Sequence, residues 1–153
     1  MSTRQHTHSE AFAVSSERLF EILYTPSAIC AWWGAAQAIV LPEAGGLWVA
    51  TWGEDVDAPE YICAATISVF DAPRRLVLGN YKYWAKTGPL PFEADFVTEF
   101  SVSDSDTPDG RQGAQLRVEQ NGFPAHPSAD AYFEACAQGW TDTFAGIRKY
   151  LTS

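Results

Sequence analysis

Six tryptophans, Trp32, Trp33, Trp48, Trp52, Trp84 and Trp140, stand in a chain of 153 residues that is 46% hydrophobic and 14% aromatic. An indole joins a broad flat apolar surface to a single N–H donor, so such a set suits a packed core or an apolar site with a polar edge. Other chemistry is sparse. His6 and His8 stand at i and i+2, share a face if their segment is a strand, and could then present two metal nitrogens, with His126 a distant third. A His-x-His near a chain end is ordinarily solvated, and the expectation is no metal. Asp95 opens a strand-like run and could sit at a cavity mouth, whereas Glu99 falls opposite Phe96 and Phe100, on the side that alternation makes wet. No Ser-His-Asp order, Walker loop or Gly-x-Gly-x-x-Gly turn occurs, so no catalytic residue is named and no cofactor is expected.

Composition narrows the field. Lys and Arg number 10 against 19 Asp and Glu, a net charge of -9, which offers no basic footprint to nucleic acid or to an anionic membrane. No run approaches the roughly 20 apolar residues that span a bilayer, and the opening Met-Ser-Thr-Arg-Gln-His lacks the apolar segment of a signal peptide. A cytoplasmic protein is expected. Cys30, Cys63 and Cys136 are odd in number and widely spaced among apolar neighbours, and they read as buried free thiols of a reducing compartment. The length suits one domain, residues 1–153, burying about 70% of its unfolded surface.

The elements that must position these side chains are legible from periodicity. A first strand runs up to Val14, and Ser15 caps a helix from Ser16 to about Tyr24, with Val14 and Leu19 placed as a hydrophobic staple. Pro26 opens a second short helix that carries Trp32 and Trp33. Strands follow near residues 38–41, 47–52, 61–70, 76–83, 95–102 and 114–120, with a polar connection over 103–113, and such brief connections make them antiparallel. Phe133, Cys136, Ala137, Trp140, Phe144, Ile147 and Leu151 then keep helical spacing over about 24 residues, with Ser128 as the expected N-cap. Gly139 and Gly146 lie inside this helix, each at about 1 kcal/mol against alanine, which implies close packing or clearance for a ligand. Polar residues that share a face with the core are candidates to orient a ligand: Thr98, Gln120 and, if Leu76 and Leu78 define the inner face, Asn80. Bonds to nearby backbone or water would explain them equally well. Trp84 and the loop 86–92 could form a lid or a homodimer contact.

One strand, two short helices, six antiparallel strands and a long terminal helix make an α+β chain similar to the helix-grip fold, in which a curved sheet of about seven strands wraps around the last helix. Phe20, Thr25-Pro26, Trp32-Trp33-Gly34, Pro42 with Gly45-Gly46, Pro73 with Leu76, Asn121-Gly122-Phe123 and Gly139-Trp140 occur in an order that resembles the landmarks of one family. That family is the activator of heat-shock-protein ATPase homologue-like branch of the START-like (SRPBCC) superfamily, and the likeness covers about residues 10–151. The resemblance implies an elongated cavity between sheet and long helix, with Trp33, Trp48 and Trp140 around its groove. Its main implication is binding of a small hydrophobic or aromatic molecule. The alternatives it carries are a cyclase- or hydrolase-like activity and regulation of a chaperone ATPase.

Overall fold

The alternating segments pair into one sheet in the computed structural model, which describes residues 2–152. The strands are β1 (Thr3–Phe12), β2 (Gln37–Val40), β3 (Leu47–Trp52), β4 (Tyr61–Asp71), β5 (Arg75–Ala85), β6 (Val97–Asp106) and β7 (Gln112–Pro124). They lie in the order β1-β7-β6-β5-β4-β3-β2, and every neighbouring pair is antiparallel. Helices α1 (Ser16–Glu21) and α2 (Pro26–Trp33) carry the chain from one edge strand, β1, to the other, β2. The long helix α3 (Asp130–Thr152) lies on the inner face of the curved sheet, which is the helix-grip arrangement that the sequence predicts.

Local chemistry explains the helix ends. Ser15 Oγ accepts the Arg18 N–H at 3.1 Å, α2 begins on Pro26, and Gly34 closes α2 in the left-handed region at φ 72°. The buried Ser16 donates to Asp104 Oδ1 at 2.5 Å, which ties the start of α1 to β6. Three expectations are corrected. Helix α1 ends at Glu21, short of Tyr24. Strands β6 and β7 run on to Asp106 and from Gln112, so the turn is confined to 107–111. The ladder there projects beyond the core, and polar residues wet on both faces look like a loop in sequence although their backbones still pair. Ser128, finally, lies inside a 3₁₀ turn, Pro127–Ala129, capped by His126, whose Nδ1 accepts the Ser128 N–H at 3.1 Å, and α3 begins only at Asp130.

Helix α3, about 35 Å long, is not seated evenly. Trp140, Phe144 and Ile147, from its middle onward, are buried, whereas Phe133, Cys136 and Ala137 are only half-buried. The two glycines answer to different constraints. A Cβ on Gly146 would stand 2.3 Å from the carbonyl oxygen of Trp32, so this glycine lets α3 touch the end of α2. A Cβ on Gly139 would meet nothing within 4 Å. Opposite signs follow: Gly146→Ala is expected to lower stability by about 1–3 kcal/mol through overpacking, and Gly139→Ala to raise it by up to about 1 kcal/mol through helix propensity. Urea denaturation of the two variants measures both. Equal effects would show that the contact with Trp32 does not set the helix position.

Candidate functional site

Between the first half of α3 and the sheet lies a cavity of about 240 Å³. Trp33 of α2 with Trp48 and Trp52 of β3 line one side, and Tyr132, Cys136, Gly139 and Trp140 of α3 another. The floor comes from Cys63 of β4, Tyr81 and Tyr83 of β5, Thr98 of β6 and Gln120 of β7. Five of the six site residues expected from sequence, Trp33, Trp48, Thr98, Gln120 and Trp140, are therefore brought together.

The indole N–H groups have separate tasks. Trp32 donates to the Ile22 carbonyl at 3.0 Å, Trp48 to the Leu23 carbonyl at 3.1 Å and Trp52 to the Trp33 carbonyl at 3.3 Å. These are carbonyls at or just past the ends of α1 and α2, which the helices themselves leave without partners. The three tryptophans thus brace the helical pair while their ring surfaces pack the core. Trp33 stacks on Trp32 at 5.1 Å and meets Trp48, Trp52 and Trp140 at 5.6 Å each, so its ring joins the core to the cavity wall.

Trp140 is different: its N–H donates to Gln120 Oε1 at 2.9 Å. An indole can only donate, so it fixes the amide with its oxygen toward α3 and its nitrogen toward Thr98. Gln120 Nε2 accordingly donates to Thr98 Oγ1 at 3.2 Å, and the Tyr81 hydroxyl lies 2.8 Å from the same oxygen. The polar groups along this wall form one chain from β5 through β6 and β7 to α3. Thr98 is only 2% exposed, so a group left unbonded there costs about 1–3 kcal/mol.

Asn80 does not join them. Ala64 pairs with Lys82 but Thr66 with Gly79, so Asn80 and Tyr81 together oppose Ala65 in a β-bulge, with Asn80 at φ 48°. The extra residue reverses the alternation: Asn80 is exposed and donates to Thr66 Oγ1 at 3.4 Å, and Tyr81 and Tyr83 face the cavity instead. Sequence alternation carries no mark of a bulge, although an asparagine between Gly79 and Tyr81 is the residue type that tolerates the left-handed region. The same reversal turns Trp84 outward, where it is 49% exposed; Phe92 of the following loop packs against two rings of the lining, 5.6 Å from Tyr132 and 6.3 Å from Phe96. Glu99 faces outward and accepts from Arg75 at 3.0 and 3.1 Å, and Asp95 is exposed just before β6.

A family model described as Activator of Hsp90 ATPase homolog 1-like protein matches residues 13–152. The chain belongs to that family. Similar solved structures include one from Mesorhizobium loti, 19% identical at a TM-score of 0.74, covering 97% of each chain. Another, from Mycobacterium smegmatis, is 14% identical with a TM-score of 0.74 and covers 100% of this chain and 97% of its own. A third, described as an HSP90 activator from Plasmodium falciparum, is 15% identical with a TM-score of 0.70, over 97% of this chain and 96% of its own. At these identities the likeness establishes the fold. No curated protein matches the chain in sequence.

In this member of the Hsp90 ATPase activator homologue-like family, burial holds the titratable groups of the cavity in their neutral forms. The Cys63 thiol is pushed up to about 12 by burial and secondarily by Cys136, whose own thiol is raised by burial. Burial also raises the hydroxyls of Tyr81, Tyr83 and Tyr132. None of these groups is charged near neutrality, which suits the cavity to apolar contact more than to proton transfer. Beside it, His6 Nδ1 and His8 Nε2 share a hydrogen bond of 2.8 Å on the α3 side of β1, and His6 packs against Phe123 and Phe133. Burial, then the neighbouring His8, lowers His6 from 6.5 to about 4. The unfolded chain therefore takes up that proton first, and stability should decline as pH falls from about 6.5 to about 4. Comparing wild type with His6→Phe by urea denaturation across this window isolates the contribution. Identical pH profiles for the two would rule it out.

Proposed function

We propose that this protein binds a small, mostly apolar or aromatic molecule in the cavity beneath α3. The observation that carries this reading is the gap itself: α3 is drawn tight at Gly146 yet stands off the sheet at Gly139, where rings and one bonded polar chain line about 240 Å³. A ring-lined hollow with a few fixed polar groups is the usual form of a small-molecule site. Screening by tryptophan fluorescence and thermal shift against aromatic, lipid and polyketide-like compounds tests it. The expected result is saturable binding that raises the melting temperature. Gly139→Leu, whose side chain would occupy part of the hollow, should abolish that response while the variant stays folded. Undiminished binding by Gly139→Leu would place the ligand elsewhere.

A second reading, regulation of a chaperone ATPase, draws on family membership and on the likeness to the Plasmodium HSP90 activator. Ile39, Leu41 and Leu47, on the edge hairpin of β2 and β3, are 63%, 49% and 43% exposed and would supply an apolar contact. Stimulation of an Hsp90 ATPase by the purified protein, lost in Ile39→Asp, is the outcome that supports it. Unchanged ATPase turnover at saturating protein would remove it. Among the described residues no helix is long and apolar enough to cross a membrane.

A further inference from the structure

The direction of the polar chain determines what is left over at its end. Because Trp140 can only donate, Gln120 must donate to Thr98, and the Thr98 oxygen is thereby an acceptor. Tyr81 and Thr98 then share one contact, 2.8 Å long, but bring two hydroxyl hydrogens to it. Whichever way that bond points, one hydrogen remains, and no atom of the described residues accepts it. Both residues line the cavity, as do the aromatic rings around them.

We propose that the cavity selects an uncharged, planar molecule of one or two rings carrying a hydrogen-bond acceptor, such as a ketone oxygen, that takes the spare hydroxyl hydrogen of the Tyr81–Thr98 pair. This rests on the cavity reading above and deepens it. Size sets the first limit. An apolar protein cavity of about 150 Å³ holds benzene, so about 240 Å³ leaves room for a second small ring, and most of a lipid chain or a steroid would have to project out of the hollow. Charge sets the second, since no Asp, Glu, Lys, Arg or His lines the hollow. A carboxylate would exchange its hydration for one hydroxyl donor, and an ammonium would exchange its own for neutral hydroxyl oxygens with no carboxylate to pair its charge. Aromatic faces can hold a cation; those of Trp33 pack against Trp32, Trp48, Trp52 and Trp140, and the ammonium probe tests the other rings of the lining.

Four probes of nearly equal shape separate the possibilities: indane, 1-indanone, protonated 1-aminoindane and indane-1-carboxylate, titrated calorimetrically into the wild-type protein and Gly139→Leu. The expected result is that 1-indanone binds at least about tenfold more tightly than indane, that neither ion binds measurably, and that Gly139→Leu binds none. The carbonyl stretch of bound 1-indanone should also move to lower wavenumber than in hexane. In Tyr81→Phe/Thr98→Val the indanone preference should fall below about threefold; should that variant fail to fold, the wild-type ratio and the infrared shift decide. Equal binding of indane and indanone, both blocked by Gly139→Leu, would overturn the acceptor and leave the cavity reading standing. Tighter binding of either ion would overturn the uncharged class. Failure of all four to bind the wild-type protein while another compound of the fluorescence screen binds would overturn this inference alone, and failure of the whole screen would overturn the cavity reading with it.

Discussion

The contact between Gly146 of α3 and the Trp32 carbonyl at the end of α2 sets the geometry on which the rest depends. At that point two backbones meet with no side chain between them, and the neighbouring Phe144 and Ile147 are buried in the core. A straight helix held at one place by α2 cannot follow the curvature of the sheet along its whole length. It must stand away elsewhere, and it does so over its first half, around Gly139. The cavity is thus a product of the same constraint that holds the fold together, and the glycine beside it keeps it from being filled.

Donor placement completes the arrangement. Trp32, Trp48 and Trp52 could each have been placed with an unbonded N–H, at a penalty comparable to the burial that their rings supply. Each finds a carbonyl at or near the end of α1 or α2 instead, so the aromatic core and the helix ends satisfy one another. Trp140 instead turns its donor to the sheet, and through Gln120 and Thr98 it orders the polar wall of the cavity.

The charges stay outside this construction. With a net charge of -9, the chain places its ion pairs, such as Arg75–Glu99 and Arg148–Glu10, on partly exposed positions, where each contributes about 1 kcal/mol or less. They leave the interior field to dipoles and hydroxyls. His6 and His8 are the exception, titratable groups drawn partly under α3 and held neutral by their surroundings.

The sequence by itself determined the element order, the long amphipathic helix and the inward positions of Thr98 and Gln120, because period 2 in Phe96, Thr98, Phe100 and Val102 and period 3.6 in Trp140, Phe144 and Ile147 follow directly from backbone geometry. It also carried Trp33, Trp48 and Trp140 through the order of its landmarks. What it could not carry was any feature depending on a partner strand or helix. The bulge that exchanges Asn80 for Tyr81 exists only because Ala65 lies opposite, and the polar ladder of 103–106 is a strand only because β7 pairs with it. Gly139 and Gly146 are alike in sequence and opposite in role, since one faces open space and the other the Trp32 carbonyl. Local periodicity records which face a residue shows; only the tertiary structure decides what that face meets.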